Sequence, residues 1–165
     1  MKKHLLIIIC IAVSVMHSVA AAGGFELFTP EEASQLNLTD ADLQTGLKPT
    51  IRKRGLLVGP KINFQMPATH EDKDGSLIVE MHANSPLAIE FIPTVADVDM
   101  DSLEVEAEKG LFSVSLTDRL RPYLHGNKLE AKEIKIPNGH FTVNIHIADK
   151  KGTSTEKDYL FVVGD

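Results

Sequence analysis

Little in this chain suits redox or covalent chemistry. Its 165 residues include one cysteine, Cys10, and no tryptophan, and aromatic residues make up only 5%. A lone thiol excludes an intrachain disulfide and any zinc or iron–sulfur site built from several cysteines. Cys10 also falls in a segment that reads as removable, so the remaining chain has no thiol nucleophile. Basic residues are scarce beside acidic ones, 17 against 23, for a formal net charge of −6. That balance suits nucleic acid poorly, because phosphates demand clustered Lys and Arg. No Gly-x-Ser-x-Gly, His-Glu-x-x-His, phosphate loop or dinucleotide fingerprint occurs. A triad assembled by folding is the one remaining route to a hydrolase, and the expectation is a non-catalytic protein.

The first residues form a signal peptide. Lys2 and Lys3 precede an apolar run from Leu5 to Met16 interrupted only by Ser14, and small residues follow at Ala20, Ala21 and Ala22. A basic start, a short apolar stretch and small residues three and one before the cut fit cleavage after Ala22 or after Ala21. The alternative is an uncleaved anchor, but His17 interrupts the run and a spanning helix needs about 20 apolar residues. Cys10 lies too early for a lipoprotein signal. Removal of Lys2 and Lys3 leaves 15 basic residues against 23 acidic, a net charge of −8. The expected location is therefore periplasmic or secreted, with no membrane span after cleavage.

Residues 23–59 and 60–165 differ in kind. Thr29-Pro30-Glu31-Glu32 carries a helix start: a hydroxyl to cap, Pro where no N–H is needed, and Glu at the third helical position. The helix ends by Asn37, and a second turn begins at Thr39 with Asp42 three residues on. From Gln44 to Gly59, Gly46, Pro49, Gly55 and Gly59 surround Arg52-Lys53-Arg54, which reads as a flexible linker. Its three charges are worth about 1 kcal/mol each near an anionic lipid surface, and a solvated, protease-sensitive tether explains them equally.

Beyond Lys61 the polarity alternates, the mark of strands with one buried face. Ile62, Phe64 and Met66; Leu77, Val79 and Met81; Leu87, Ile89 and Phe91; Leu103, Val105 and Ala107; and Phe112, Val114 and Leu116 each skip polar neighbours. Leu129, Ala131, Ile134 and Ile136 make a weaker element. Phe141, Val143, Ile145 and Ile147 make the strongest, and Tyr159, Phe161 and Val163 the last. Seven or eight short strands with no helical period between them predict an all-β, antiparallel two-sheet sandwich, since each sheet must bury its apolar face on another layer.

The run Pro137-Asn138-Gly139-His140-Phe141-Thr142-Val143, continuing to Ile147-Ala148-Asp149, Gly152 and Phe161-Val162-Val163, is similar to the closing strand pair of bacterial immunoglobulin-like (Ig-like) domains. The stretch from Ser85-Pro86 through Val98-Asp99-Met100-Asp101-Ser102-Leu103, Leu116-Thr117-Asp118-Arg119-Leu120 and Arg121-Pro122-Tyr123 resembles a group of exported bacterial Ig-like domain proteins. It covers roughly residues 60 to 163. The resemblance implies a sandwich and an exported location, and it implies no particular activity. Phe141 stands where many such domains carry Tyr, so the corner there must hold by packing.

Three groups of residues are candidates for binding. Arg119, Arg121, Tyr123 and His125 combine guanidinium forks with an aromatic, suited to anionic or sugar ligands. Arg119 pairing with an acidic side chain, and Pro122-Tyr123 anchoring a crossing between sheets, are the structural alternatives. Asp97-x-Asp99-x-Asp101 invites calcium, which wants several carboxylate oxygens. Ser102 at the sixth position lacks the Gly of a helix–loop–helix site, so only a looser site with Asp72 and Asp74 remains, and a solvated acidic turn explains the same residues. Five His and three Met remain after cleavage, and imidazole and thioether suit copper. His140 and His146 lie about 20 Å apart along one strand, so copper would need His70, His82 and Met100 to converge through loops.

The sequence thus predicts a non-catalytic, exported Ig-like module without a cofactor. Its expected partner is another envelope protein, met at an exposed sheet edge. The alternative is a small-ligand or metal carrier, calcium ahead of copper.

Overall fold

The computed structural model describes residues 25–45 and 59–165. The signal segment with Cys10 and the basic run Arg52-Lys53-Arg54 lie outside the described residues. The described elements are β1 (Phe25–Glu26), α1 (Pro30–Leu36), α2 (Asp40–Gln44), β2 (Lys61–Met66), β3 (Thr69–Glu71), β4 (Leu77–His82), β5 (Asn84–Ile92), β6 (Val98–Lys109), β7 (Phe112–Ser115), α3 (Thr117–Leu120), a 3-10 turn (Arg121–Tyr123), β8 (Leu124–His125), β9 (Lys128–Lys135), β10 (Gly139–Asp149) and β11 (Ser154–Gly164).

Two sheets face each other, as the alternation requires. One runs β1-β9-β5-β2 with β8 also paired to β9, and the other runs β3-β4-β11-β10-β6-β7. Every alternating apolar set named above supplies the core. Val79, Leu87, Ile89, Phe91, Leu103, Val105, Ala107, Leu129, Ile134, Phe141, Val143, Ile145, Ile147, Tyr159 and Phe161 are all buried. Phe64 leans on Tyr159 at 4.6 Å and meets Phe161 edge-on at 6.2 Å.

The two-sheet, all-β expectation holds, and the structure adds detail that alternation cannot carry. β1, β3 and β8 are short extra strands. Two pairs are parallel, β1 with β9 and β4 with β11. The last strand, β11, inserts between β4 and β10, so strands distant in sequence become neighbours. Alternation records which face a residue turns to, and it is silent about strand direction and neighbour.

β6 starts at Val98, so Asp99 and Asp101 lie in a strand and the solvated acidic turn expected there is corrected. Glu104 faces His146 while Asp99 faces Ala148, which leaves residues 100–103 of β6 opposite Ile147 alone. This irregularity flips the inward phase from Val98 to Leu103, and a bulge of this kind breaks the period that marks a strand. Ser102 secures it: its hydroxyl accepts the Ala148 N–H at 2.8 Å and donates to the Asp99 carbonyl at 2.6 Å.

The segment before the sandwich pattern belongs to the same core. Thr29 and Glu32 form a capping box at the start of α1, and Thr39 and Asp42 form another at α2. Asn37 ends α1 as the sequence predicts. Leu27, Phe28, Ala33 and Leu36 are buried in the main cluster, and Phe28 rests on Phe141 with ring centroids 4.8 Å apart. β1 belongs to one sheet while α1 packs on β6 and β7 of the other, so this segment bridges the two layers.

Candidate functional site

Arg119 is spent on structure. Its Nη1 donates to the Leu27 carbonyl at 2.7 Å and to Glu32 Oε2 at 2.8 Å, and its Nη2 donates to Glu32 Oε1 at 2.7 Å. Glu32 also accepts the Thr29 N–H at 2.8 Å. The Arg119 bonds, against the opposing cost of burial and with help from Thr29, hold the Glu32 carboxyl at about 2, far below its ordinary 4.5. The same bonds to Glu32 raise Arg119. Three of the five guanidinium donors, and the ion-pairing capacity of the fork, are thereby committed within the fold.

The other residues of that group do not converge with it. Tyr123 stacks on Phe25 at 4.4 Å and 19°. Arg121 reaches Asp118 at 3.3 Å on the exposed surface, and His125 is exposed in β8. The 3-10 turn that contains Pro122 carries the chain from β7 in one sheet to β8 in the other.

The acidic triplet is also divided. Asp97 meets Lys150 at 3.6 Å, Asp99 Oδ1 accepts the Asp101 N–H at 3.2 Å, and Asp101 is exposed. Asp72 and Asp74 sit in the turn between β3 and β4. β11 and β10 separate β4 from β6, about 14 Å at ordinary strand spacing. That spacing also parts His82 on β4 from Met100 on β6, and Met100 is packed against the core. His82 Nδ1 lies 3.0 Å from the Asp165 carbonyl oxygen, and His70 is exposed on β3. Among the described residues no three His, Cys, Asp or Glu side chains are grouped to hold a metal ion.

Two hollows lined by the described residues bear on this. A void of about 10 Å³ between the sheets is lined only by core side chains such as Leu87, Leu116 and Ile145, and it has room for no more than one water. A shallow groove of about 250 Å³ lies where Glu26, Phe28, Asn84, Lys135 and Pro137 meet. It brings one cation and one anion together with apolar side chains and gathers no nucleophile with a base.

The sequence predicts an exposed sheet edge without assigning a strand to it, and among the described residues β7 forms such an edge. β7 ends the six-stranded sheet. Lys109 pairs with Phe112 around a two-residue turn whose first residue is Gly110 at φ +62°, and Leu111 at its tip is fully exposed. Glycine there supplies the left-handed conformation of a tight hairpin. The Leu116 N–H donates to the Val105 carbonyl at 2.8 Å. Backbone bonding alternates along an antiparallel ladder, so Phe112, Val114 and Leu116 face β6, and the N–H and C=O of Ser113 and Ser115 point outward from the sheet.

The other edges are guarded or short. β2 begins after Pro60 with Lys61, has a register shift between Phe64 and Met66, and stops at Pro67. β3 spans three residues and β1 and β8 two each. Proline, charge, irregularity and shortness are the usual protections against edge pairing. β7, Phe112-Ser113-Val114-Ser115, has no charge, proline or bulge, and α1 is the element packed beside it.

No helix among the described residues is long and apolar enough to cross a membrane. Comparisons with protein-family models, with curated proteins and with solved structures find no match.

Proposed function

We propose that this chain is an exported, Ig-like binding module that receives an extended segment of another envelope protein on the edge of β7 and catalyses no reaction. The observation that carries this reading is the pair of outward-facing backbone positions, Ser113 and Ser115, on an edge strand that has no charge, proline or bulge of its own. Backbone groups there supply affinity to an added strand, and side chains on either face supply selectivity. The exposed Leu111 and the part-exposed Phe112 lengthen the apolar border of the same edge. Export rests on the basic, apolar and small-residue order of residues 1–22, and the Ig-like assignment rests on the run from Pro137 to Val163.

The test uses the full chain in its native envelope. Photo-crosslinking side chains are placed at Ser113, at Ser115 and, as a control on the guarded edge, at Asn63. The Ser113 and Ser115 probes should give one shared adduct that the Asn63 probe does not give. Ser113→Pro removes an N–H that β6 does not use, so the variant should fold normally and lose the adduct formed from Ser115. Equal adducts from all three positions, or an adduct that survives Ser113→Pro, would overturn the reading.

A further inference from the structure

We propose that the segment accepted by β7 alternates basic with apolar residues. This rests on strand addition at β7 and adds the chemistry of the incoming strand. The register places Ser115 beside Glu106 and Ser113 beside Glu108 on the outer face of the sheet. β6 carries Glu104 on that face as well, with its side chain 74% exposed. Glu106 is also exposed.

A strand added beyond β7 lies two steps from β6, about 9.6 Å at ordinary strand spacing. A Lys or Arg opposite Ser113 or Ser115 can span that gap over two small hydroxymethyl side chains. A short residue there cannot, and a carboxylate would meet charge of its own sign.

Further across the same face, Glu156 and Asp158 of β11 flank Asn144 and His146 of β10. Asn144 Nδ2 donates to Asp158 Oδ1 at 2.6 Å, and His146 Nδ1 lies 3.8 Å from Glu104. The exposed carboxylates of Glu104 and Glu106 lie nearest the edge and favour a positive incoming strand. On the inner side the neighbours are Phe112 and Val114, with Val114 packed against the core. The alternate positions of the incoming strand are therefore apolar. Small hydroxyls on the outer side of the edge, acids one strand inward and apolar groups on the inner side together define a strand of the pattern basic–apolar–basic–apolar.

Three nine-residue peptides test this, with Lys, Thr or Glu alternating with Val. Each is titrated into the full chain while the backbone amides of residues 111–116 are followed by NMR. The Lys peptide should shift the Ser113 and Ser115 amides and bind at least about tenfold more tightly than the Glu peptide. Its affinity should fall severalfold from roughly 50 to 300 mM salt, because the pairing is between exposed charges. Glu104→Gln with Glu106→Gln should weaken the Lys peptide about fivefold or more and leave the Thr peptide unchanged. Equal binding of all three at Ser113 and Ser115 would overturn the charge preference and leave strand addition standing. Shifts confined to other strands, or no binding of any peptide at millimolar concentration, would overturn both.

Discussion

Arg119 and Glu32, 87 positions apart in the chain, are joined by two parallel charge-assisted bonds of 2.8 and 2.7 Å. The pair fastens α1, which precedes the sandwich pattern, to α3, which follows β7. Bidentate guanidinium–carboxylate pairs are among the stronger polar contacts in proteins because geometry and charge reinforce each other. Arg119→Ala should therefore destabilise the chain by about 1.5–3 kcal/mol, including the loss at the Leu27 carbonyl. Glu32→Gln should cost less, and the double variant less than the sum. Urea denaturation of the four proteins at pH 7 measures the coupling, and strict additivity would refute it.

Acid should loosen the same contact. Glu32 is held at about 2 against an ordinary 4.5, and Asp42 at about 2 against 3.8. For Asp42 the Thr39 N–H is the main cause, followed by Lys109 at 2.9 Å. A carboxyl depressed in the folded state contributes stability that is fully present above its unfolded value. That contribution is lost as pH falls toward the folded value. Melting temperature should thus decline between pH 4.5 and pH 2, and Glu32→Gln should show a shallower decline. Parallel curves for parent and variant would contradict the assignment.

Phe28 makes the N-terminal segment part of the fold. It is buried against Phe141, with ring centroids 4.8 Å apart. Phe28→Ala should cost about 3–5 kcal/mol, the range for removing a buried aromatic ring. Equilibrium unfolding should remain a single transition, with tryptic cleavage after Arg119 accelerated in the variant. An unfolding midpoint equal to the parent's would mean that the ring is dispensable.

A side chain at Gly139 would be strained and would displace Asn37. The glycine sits at φ +149°, and a Cβ there would come within 2.5 Å of Asn37 Oδ1. That oxygen accepts the His140 N–H at 2.9 Å, which ties the end of α1 to the start of β10. Gly139→Ala should cost about 2–4 kcal/mol from strain and the displaced bond together. Asn37→Ala removes only the bond and should cost about 1 kcal/mol. Urea midpoints that rank the two variants the other way would show that the close approach is not what constrains this position.

Much of this was legible in the residue order because it is local. Thr29-Pro30-Glu31-Glu32 encodes its own helix start, and the structure forms that capping box. The skip-one pattern from Phe141 to Ile147 names the buried face, and all four of those side chains are buried. The candidate site was less legible. Arg119, Tyr123 and His125 share one stretch of chain, yet the partners of Arg119 and Tyr123, Glu32 and Phe25, come from a segment about 90 positions earlier in the sequence. The β7 edge was hidden for a similar reason, since Phe112-Ser113-Val114-Ser115 alternates whether or not another strand lies beside it.

By itself the sequence determined the buried face of the regularly alternating strands and the two capping boxes, since these depend on residues a few positions apart. Only tertiary structure decided that β11 lies between β4 and β10, that Arg119 closes on Glu32, and that β7 is the terminal strand of its sheet. Those outcomes depend on which distant segments meet, and a pattern of period two carries no record of that because every strand of the sandwich obeys the same pattern.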